Sequence, residues 1–254
     1  MTYKFDKIDI TFYGVLPRRD ESGLALSGML DFPKRNGTTE HNWGTQIEPY
    51  VTDRDLSFEG RTLNMKLVMP DLVHLGKFSQ AWMNCKMLGT EWGDFNVIAA
   101  NEMTVEKIGE RMGLIGISFL QASVEPPILD LAVSGGTGYR IDDCHLEHDL
   151  GIRVAAVTDD LNFPKRIDVG TSDVYTETRY RENGKLTLDC VMQSINSARM
   201  VRQMGQLHAI CALPGLRQLQ FPDGNKREMY VKDGFKVSMD GNCVARFSLK
   251  MEML

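Results

Sequence analysis

LDFPKR at residues 30–35 and LNFPKR at residues 161–166 are nearly the same six residues written twice. Their phenylalanines, Phe32 and Phe163, stand 163 − 32 = 131 positions apart, about half of the 254-residue chain. A duplicated domain would put its second copy there, so the neighbourhoods of the two hexapeptides decide the fold.

Those neighbourhoods match in the same order. RTLNMKLVMPDL (61–72) meets GKLTLDCVMQSI (184–195) at an offset of 123, setting Leu63, Met65, Val68 and Met69 against Leu186, Leu188, Val191 and Met192. EMTVEK (102–107) meets EMYVKD (228–233) at 126. GISFLQASVE (116–125) meets RFSLKMEML (246–254), with Ser118 opposite Ser248 at 130. Near the start, IDITFYG (8–14) resembles LDLAVSG (129–135) at 121. Unequal offsets place the insertions in loops, where extra residues cost little.

Apolar–polar alternation marks most segments as strands, among them KIDITFYG, RTLNMKLVM, GLIGISFLQASVE, RVAAVTDDLNF, KLTLDCVM, EMYVKDGFKVSMDG and CVARFSLKMEML. Two stretches carry helical spacing instead. One has Leu72, Leu75, Phe78, Trp82 and Met83 behind Pro70; the other has Ile195, Ala198, Val201 and Leu207, with Ser194 or Asn196 as the cap. Pro126 and Pro127 in SVEPP cannot continue a ladder and mark the linker. The expected fold is mainly β with some α: two tandem β-barrels, residues 1–126 and 127–254, each with one packed α-helix, because a sheet of this size leaves open edges unless it closes or pairs.

The apolar fraction of 43% and charged fraction of 25% are those of an ordinary folded domain. A net charge of −5 argues against a strongly basic nucleic-acid binder. The five cysteines show no CxxC spacing, which fits a reducing compartment. MTYKFDKIDI has no apolar core, so no signal peptide is expected, and no apolar run is long enough to span a membrane.

Chemistry has few footholds. DDCHLEHD (142–149) offers Cys144, His145, Glu147 and His148 as metal-ligand types, but an extended strand would send the two histidines to opposite faces. A solvated loop is the expectation, with no metal and no cofactor. SGGTGYR (134–140) lacks the endings and spacing of a phosphate loop and reads as a turn. His208 and Cys211, three apart, could share a helix face, although a buried structural cysteine is the commoner case. There is no GxSxG or HExxH, and an enzyme is not expected.

FEGRTLNMKLVM (58–69), with alternating residues entering a helix, and the closing strand GISFLQASVEPP resemble the tail-tube fold of bacteriophage tails and the N-terminal domain of distal tail proteins. Two such units in one chain resemble the trimeric baseplate hub, where three chains supply six barrels. The resemblance implies a structural ring at the tail tip of a phage, prophage or related injection particle. Such a ring would join the tail tube to the baseplate or fibre apparatus and let DNA pass as cargo. Implied neighbours are the tail-tube, tape-measure, baseplate and fibre proteins, and the implied location is the virion tail, assembled in the bacterial host cytoplasm with no membrane insertion. A trimer or a hexamer would each serve. Ring contacts are expected in the loops after the hexapeptides, from Trp43, Tyr50, Lys34, Arg35, Lys165 and Arg166. Trp43→Ala is expected to leave the chain folded and weaken the ring. The alternatives are a metal-binding enzyme using 142–149, or a carbohydrate-binding module using Trp43 and Tyr50, on the same duplicated barrel.

Overall fold

The computed structural model describes residues 2–19, 24–36, 39–42, 47–50, 57–130, 134–160, 166–170, 174–178, 184–241 and 243–253. In the first half, β1 (Lys4–Phe5) folds back on β2 (Ile8–Asp9) through Asp6 and Lys7, both at positive φ. The alternation read through KIDITFYG stops at Asp9. There the carboxylate accepts the Thr11 N–H at 2.8 Å and starts a 3₁₀ turn, Ile10–Tyr13, which left-handed Gly14 ends.

β3 (Leu16–Pro17) and β4 (Leu26–Ser27) both lie along β9 (Arg61–Met69). Between them in sequence, β5 (Arg35–Asn36) pairs with β8 (Ser57–Phe58), and β6 (Thr39–Asn42) with β7 (Ile47–Tyr50). Asp71 caps a 3₁₀ turn that runs into α1 (Leu75–Asn84). β10 (Met87–Thr90) and β11 (Gly93–Asn96) form a hairpin beside β1. β12 (Ile98–Ile108) and β13 (Met112–Gln121) form the long hairpin that closes the half, in the order β12-β13-β9-β3.

The second half runs through β14 (Arg140–Ile141), β15 (Cys144–His145), α2 (Leu146–Leu150) and β16 (Ile152–Asp160) to the hairpin of β17 (Arg166–Gly170) and β18 (Val174–Thr178). β19 (Lys185–Gln193) leads into α3 (Ser197–Ala212), followed by β20 (Arg217–Gln220), β21 (Lys226–Tyr230), β22 (Ser238–Met239) and β23 (Val244–Met253). One sheet takes the order β15-β14-β20-β21-β23-β19-β16, with β22 also on β23.

Ladder register runs in parallel in the two halves. Lys4 faces Asp9, and Arg140 faces His145, with 140 − 4 = 145 − 9 = 136. Leu26 faces Met65, and Val157 faces Leu188, with 157 − 26 = 131 and 188 − 65 = 123. Met69 faces Gly113, and Met192 faces Ala245, with 192 − 69 = 123 and 245 − 113 = 132. Along the outer strands, Ile98 faces Leu120 and Glu106 faces Leu114, while Tyr230 faces Glu252 and Ser238 faces Arg246; every one of these differences is 132. Both outer strands therefore take in two extra residues over the same interval, a repeated bulge. The motif β12-β13-β9-β3/β4 recurs as β21/β22-β23-β19-β16.

Three expected equivalences are corrected by this register. The counterpart of IDITFYG is CHLEHDLG (144–151), not LDLAVSG: Asp9 and His145 are both helix caps, and Gly14 and Gly151 are both left-handed ends. At an offset of 132, Glu102 corresponds to Gly234 and not to Glu228. Ser118 corresponds to Lys250 rather than Ser248, a two-residue error that leaves the sheet face unchanged.

The chain is rich in β-structure, but its sheets follow open orders among the described residues, not closed barrels. Closure is replaced by helices and by one continuous apolar core spanning both halves. Inward residues Leu63, Met65, Leu67 and Met69 of β9, and Leu186, Leu188, Cys190 and Met192 of β19, are all buried. Phe78 and Trp82 of α1 are buried as read, with Phe78 stacked 5.9 Å from Phe5, but Met83 is 61% exposed. In α3 the buried stripe is Met200, Met204, Leu207 and Ile210, while Ile195 lies outside the helix and is 76% exposed. Asn196 is the cap, accepting the Arg199 N–H at 2.8 Å.

Candidate functional site

The hexapeptide LDFPKR sits where the two halves meet. Arg61 at the start of β9 positions the residues ahead of it, donating to Met29 O at 2.6 Å, Asp31 O at 3.0 Å and Gln121 Oε1 at 2.8 Å. The segment then crosses to the bulge between β21 and β22. Phe32 and Phe235 exchange N–H···O bonds at 2.9 Å, the Arg35 N–H donates to Lys232 O at 3.1 Å, and Asp31 Oδ1 accepts the Val237 N–H at 2.8 Å. The Phe32 ring packs on Phe58, His208 and Phe235 with centroids 4.9–5.6 Å apart. Gly234 makes this approach feasible: a Cβ there would stand 2.0 Å from Phe32 O and 2.5 Å from Pro33 C.

Arg35 finishes the docking. Its guanidinium reaches the last turn of α3, where Nη2 donates to Cys211 O at 2.5 Å and to Leu213 O at 3.3 Å. Terminal carbonyls and the negative end of the helix dipole favour a cation there, and α3 has no basic residue in its own last turn. Among the described residues Nε and Nη1 have no partner, and burial lowers the pKa of the side chain. The first half thus caps the helix of the second.

His208 of α3 holds the other side of the segment. Its Nε2 lies 3.1 Å from Leu30 O, a carbonyl that can only accept, so the proton sits on Nε2. Burial, with the Arg61 charge, pushes its pKa down to about 3. The linker is fixed nearby: Gln206 accepts the Asp130 N–H at 2.7 Å and donates to Ile128 O at 3.2 Å.

The expected ring-contact residues divide. Lys34 is exposed. Arg35 is only 4% exposed and is spent inside the chain, so it is corrected from a surface contact to an internal cap. It turns inward to the carbonyls at the end of α3, while the neighbouring Lys34 faces out. Tyr50 and Arg166 belong by backbone to β7 and β17, and their side chains, like Trp43 and Lys165, lie outside the described residues. The segment LNFPK (161–165) also lies outside them.

The 142–149 stretch is framework. Asp142 at φ 53° accepts the Gln218 N–H at 2.9 Å and pairs with Arg217 at 2.8 Å; its counterpart Asp6 at φ 47° accepts the Met87 N–H at 2.9 Å. His145 Nδ1 accepts from the N–H groups of Glu147 and His148 at 3.2 Å, capping α2, while Nε2 faces Thr137 O at 3.1 Å. Both ring nitrogens are therefore engaged. Burial works against ionisation of Asp149, yet hydrogen bonds from Ser134 and His145 hold its pKa below the ordinary value. Burial pushes the Cys144 thiol up to about 12. Among the described residues no group of three or more His, Cys, Asp or Glu is placed to hold a metal ion. SGGTGYR wraps this unit: a Cβ on Gly138 would stand 2.6 Å from the His145 ring, and Arg140 donates to Ser134 O at 2.6 Å.

His208 and Cys211 do not form a reactive pair. His208 is committed to Leu30 O, and burial pushes the Cys211 thiol up to about 12, which keeps it protonated. The residues that sequence reading missed are the receiving ones, Lys232 to Phe235. The only sequence signal was Gly234 inside an otherwise strand-like run.

No family model matches the sequence, and no curated protein matches it. Among solved structures, the chain is similar to the Dit protein of phage SPP1, whose crystal structure is described as a paradigm of the hub adsorption apparatus in phages that infect Gram-positive bacteria. That likeness covers 98% of each chain at 9% identity, with a TM-score of 0.36. Among the described residues no helix is long and apolar enough to cross a membrane.

Proposed function

We propose that this chain is a structural, non-enzymatic subunit of a ring at the tip of a phage, prophage or related injection-particle tail. The ring joins the tail tube to the baseplate or fibre apparatus and lets DNA through. The observation that carries this reading is the matching ladder register of the two β-rich halves, one of which keeps an edge that no described segment covers. In the second half the outer strand, β21 to β22, is covered by the first half's own LDFPKR. In the first half the corresponding strand, β12, is 11 residues long and keeps Ile98, Val105 and Ile108 exposed. A long exposed edge bearing apolar side chains is a template for pairing with another chain, and head-to-tail pairing of like units closes into a ring when the rotation divides evenly. The tail-tube resemblance of residues 58–69 and 116–127 supplies the setting.

Three chains would present six units and six chains twelve. Sedimentation equilibrium of the purified chain tests assembly: a defined trimer or hexamer is expected, and a monomer at all accessible concentrations contradicts the reading. Asp142, His145, Glu147 and Asp149, four of the ligand types that the metal-enzyme alternative would use, are engaged in turns, caps and ion pairs.

A further inference from the structure

We propose that the cleft between the two halves, beside the linker, is a binding site for an apolar carboxylate: a molecule with a hydrocarbon or aromatic body and one anionic head. The cleft holds about 540 Å³, inside the range of roughly 300–1,000 Å³ usual for small-molecule sites. The first half lines it with Leu30 and Phe32 of the hexapeptide and Phe95 of β11, and the second with Val201 and Met204 of α3. Pro126 and Pro127 of the linker add a stiff wall. Gly205 of α3 gives that wall room, since a Cβ there would stand 3.2 Å from Pro127 Cγ.

The polar groups set among these walls are donors. Arg61 lines the cleft from a half-buried position. Its Nε and Nη1 donate to Gln121 Oε1, Met29 O and Asp31 O, all uncharged oxygens, and among the described residues its Nη2 has no acceptor. The Asp31 carboxylate acts on Arg61 through its charge, but it is turned to the Val237 N–H at 2.8 Å. An incoming carboxylate would add the charge-assisted bond that the chain does not supply. Trp92, also in the wall, has a buried indole N–H with no partner among the described residues. His208 is already spent on Leu30 O.

Charged residues at the rim do not reverse this choice. Glu91, Asp94 and Glu125 border the cleft but are exposed, where water and salt screen them. Arg202 is exposed and paired with Asp130 at 3.4 Å. Arg61 acts from less solvated ground, so the head group is selected inside the cleft and not at its mouth. Both halves contribute walls, so a bound molecule ties them together and stabilises the folded chain by mass action. The site needs no second copy and stands apart from assembly of a ring.

Calorimetric titration of the full chain with decanoate, decanol and decylamine tests the site. Decanoate should saturate a single site and raise the melting temperature as its concentration rises. Decanol should bind about tenfold more weakly, for want of a charged acceptor, and decylamine should not bind. Val201→Trp fills the cleft from a half-buried position on α3 and should abolish decanoate binding. Trp92→Phe keeps the ring, removes the N–H and should weaken binding about fivefold. Urea unfolding of both variants confirms that they are folded. Absence of saturable decanoate binding to the wild type, equal binding of decanoate and decylamine, or decanoate binding that survives Val201→Trp overturns the proposal.

Discussion

Phe32 in the first half and Phe235 in the second form a reciprocal backbone pair, each N–H donating to the other's carbonyl at 2.9 Å, with Gly234 directly beneath the crossing chain. The sequence distance between them is large, yet this pair sets how the two repeats face each other. Its dependence on a missing side chain makes it easy to break. Gly234→Ala should cost about 1–3 kcal/mol in urea unfolding, the range for forcing a methyl into a packed site. Gly76→Ala, with nothing within 4 Å of its added Cβ, should be neutral or stabilise by up to about 1 kcal/mol. Equal effects at the two positions would contradict the close approach.

Arg35 acts on a helix it is not part of. Arg35→Ala removes a charged donor and leaves Cys211 O and Leu213 O without it, so a loss of about 1.5–3 kcal/mol is expected. The loss should be local as well as global. The amide of Leu213, which donates to Ile210 O at 3.3 Å, should exchange with deuterium faster, while amides in α1 keep their protection. Unchanged exchange at the end of α3 would remove the cap from the account.

His208 gives the junction a pH dependence of known sign. Folding holds it neutral, with a pKa of about 3 against 6.5 for the free side chain, chiefly because it is buried. The unfolded chain gains a proton below pH 6.5 that the folded chain refuses, so this contribution to stability is present above pH 6.5 and falls as pH drops towards 3, by up to about 1.4 kcal/mol per pH unit. Asp31, raised by burial, opposes it at the acid end, because its folded form takes up a proton more readily than its unfolded form. His208→Gln should flatten the stability profile between pH 6 and 4. A profile as steep as the wild type's would show that other groups set it.

Asp6 and Asp142 hold matching places in the two halves, each in a left-handed turn with its carboxylate on a backbone N–H of the neighbouring strand. Asp6→Ala and Asp142→Ala should each destabilise by about 1–3 kcal/mol through strain and a lost acceptor. Asp142→Ala should cost more, because it also unpairs half-buried Arg217. A negligible effect at either position in urea unfolding would break the equivalence.

These two aspartates also show what could be read from the letters. The likeness of the halves is legible where the core demands the same residue types: β9 and β19 align at 123 because alternate positions must be apolar, and the hexapeptides align at 131. It was illegible where turn chemistry is shared and letters are not. Asp9 and His145 both cap a helical turn with a side-chain acceptor, so DDCHLEHD reads as a solvated loop and not as the partner of residues 6–13. EMTVEK and EMYVKD matched by coincidence, since ladder pairing, which the sequence does not display, sets the true offset at 132. The inward turn of Arg35 depends on a helix end about 176 residues away.

Rotational symmetry of the assembled particle is the most direct measurement. Cryo-electron microscopy class averages of the purified full-length chain should show a closed ring with a central hole, and six similar lobes if three chains form it. A particle with no rotational symmetry, or a lone two-lobed chain at micromolar concentration, would contradict the proposed role.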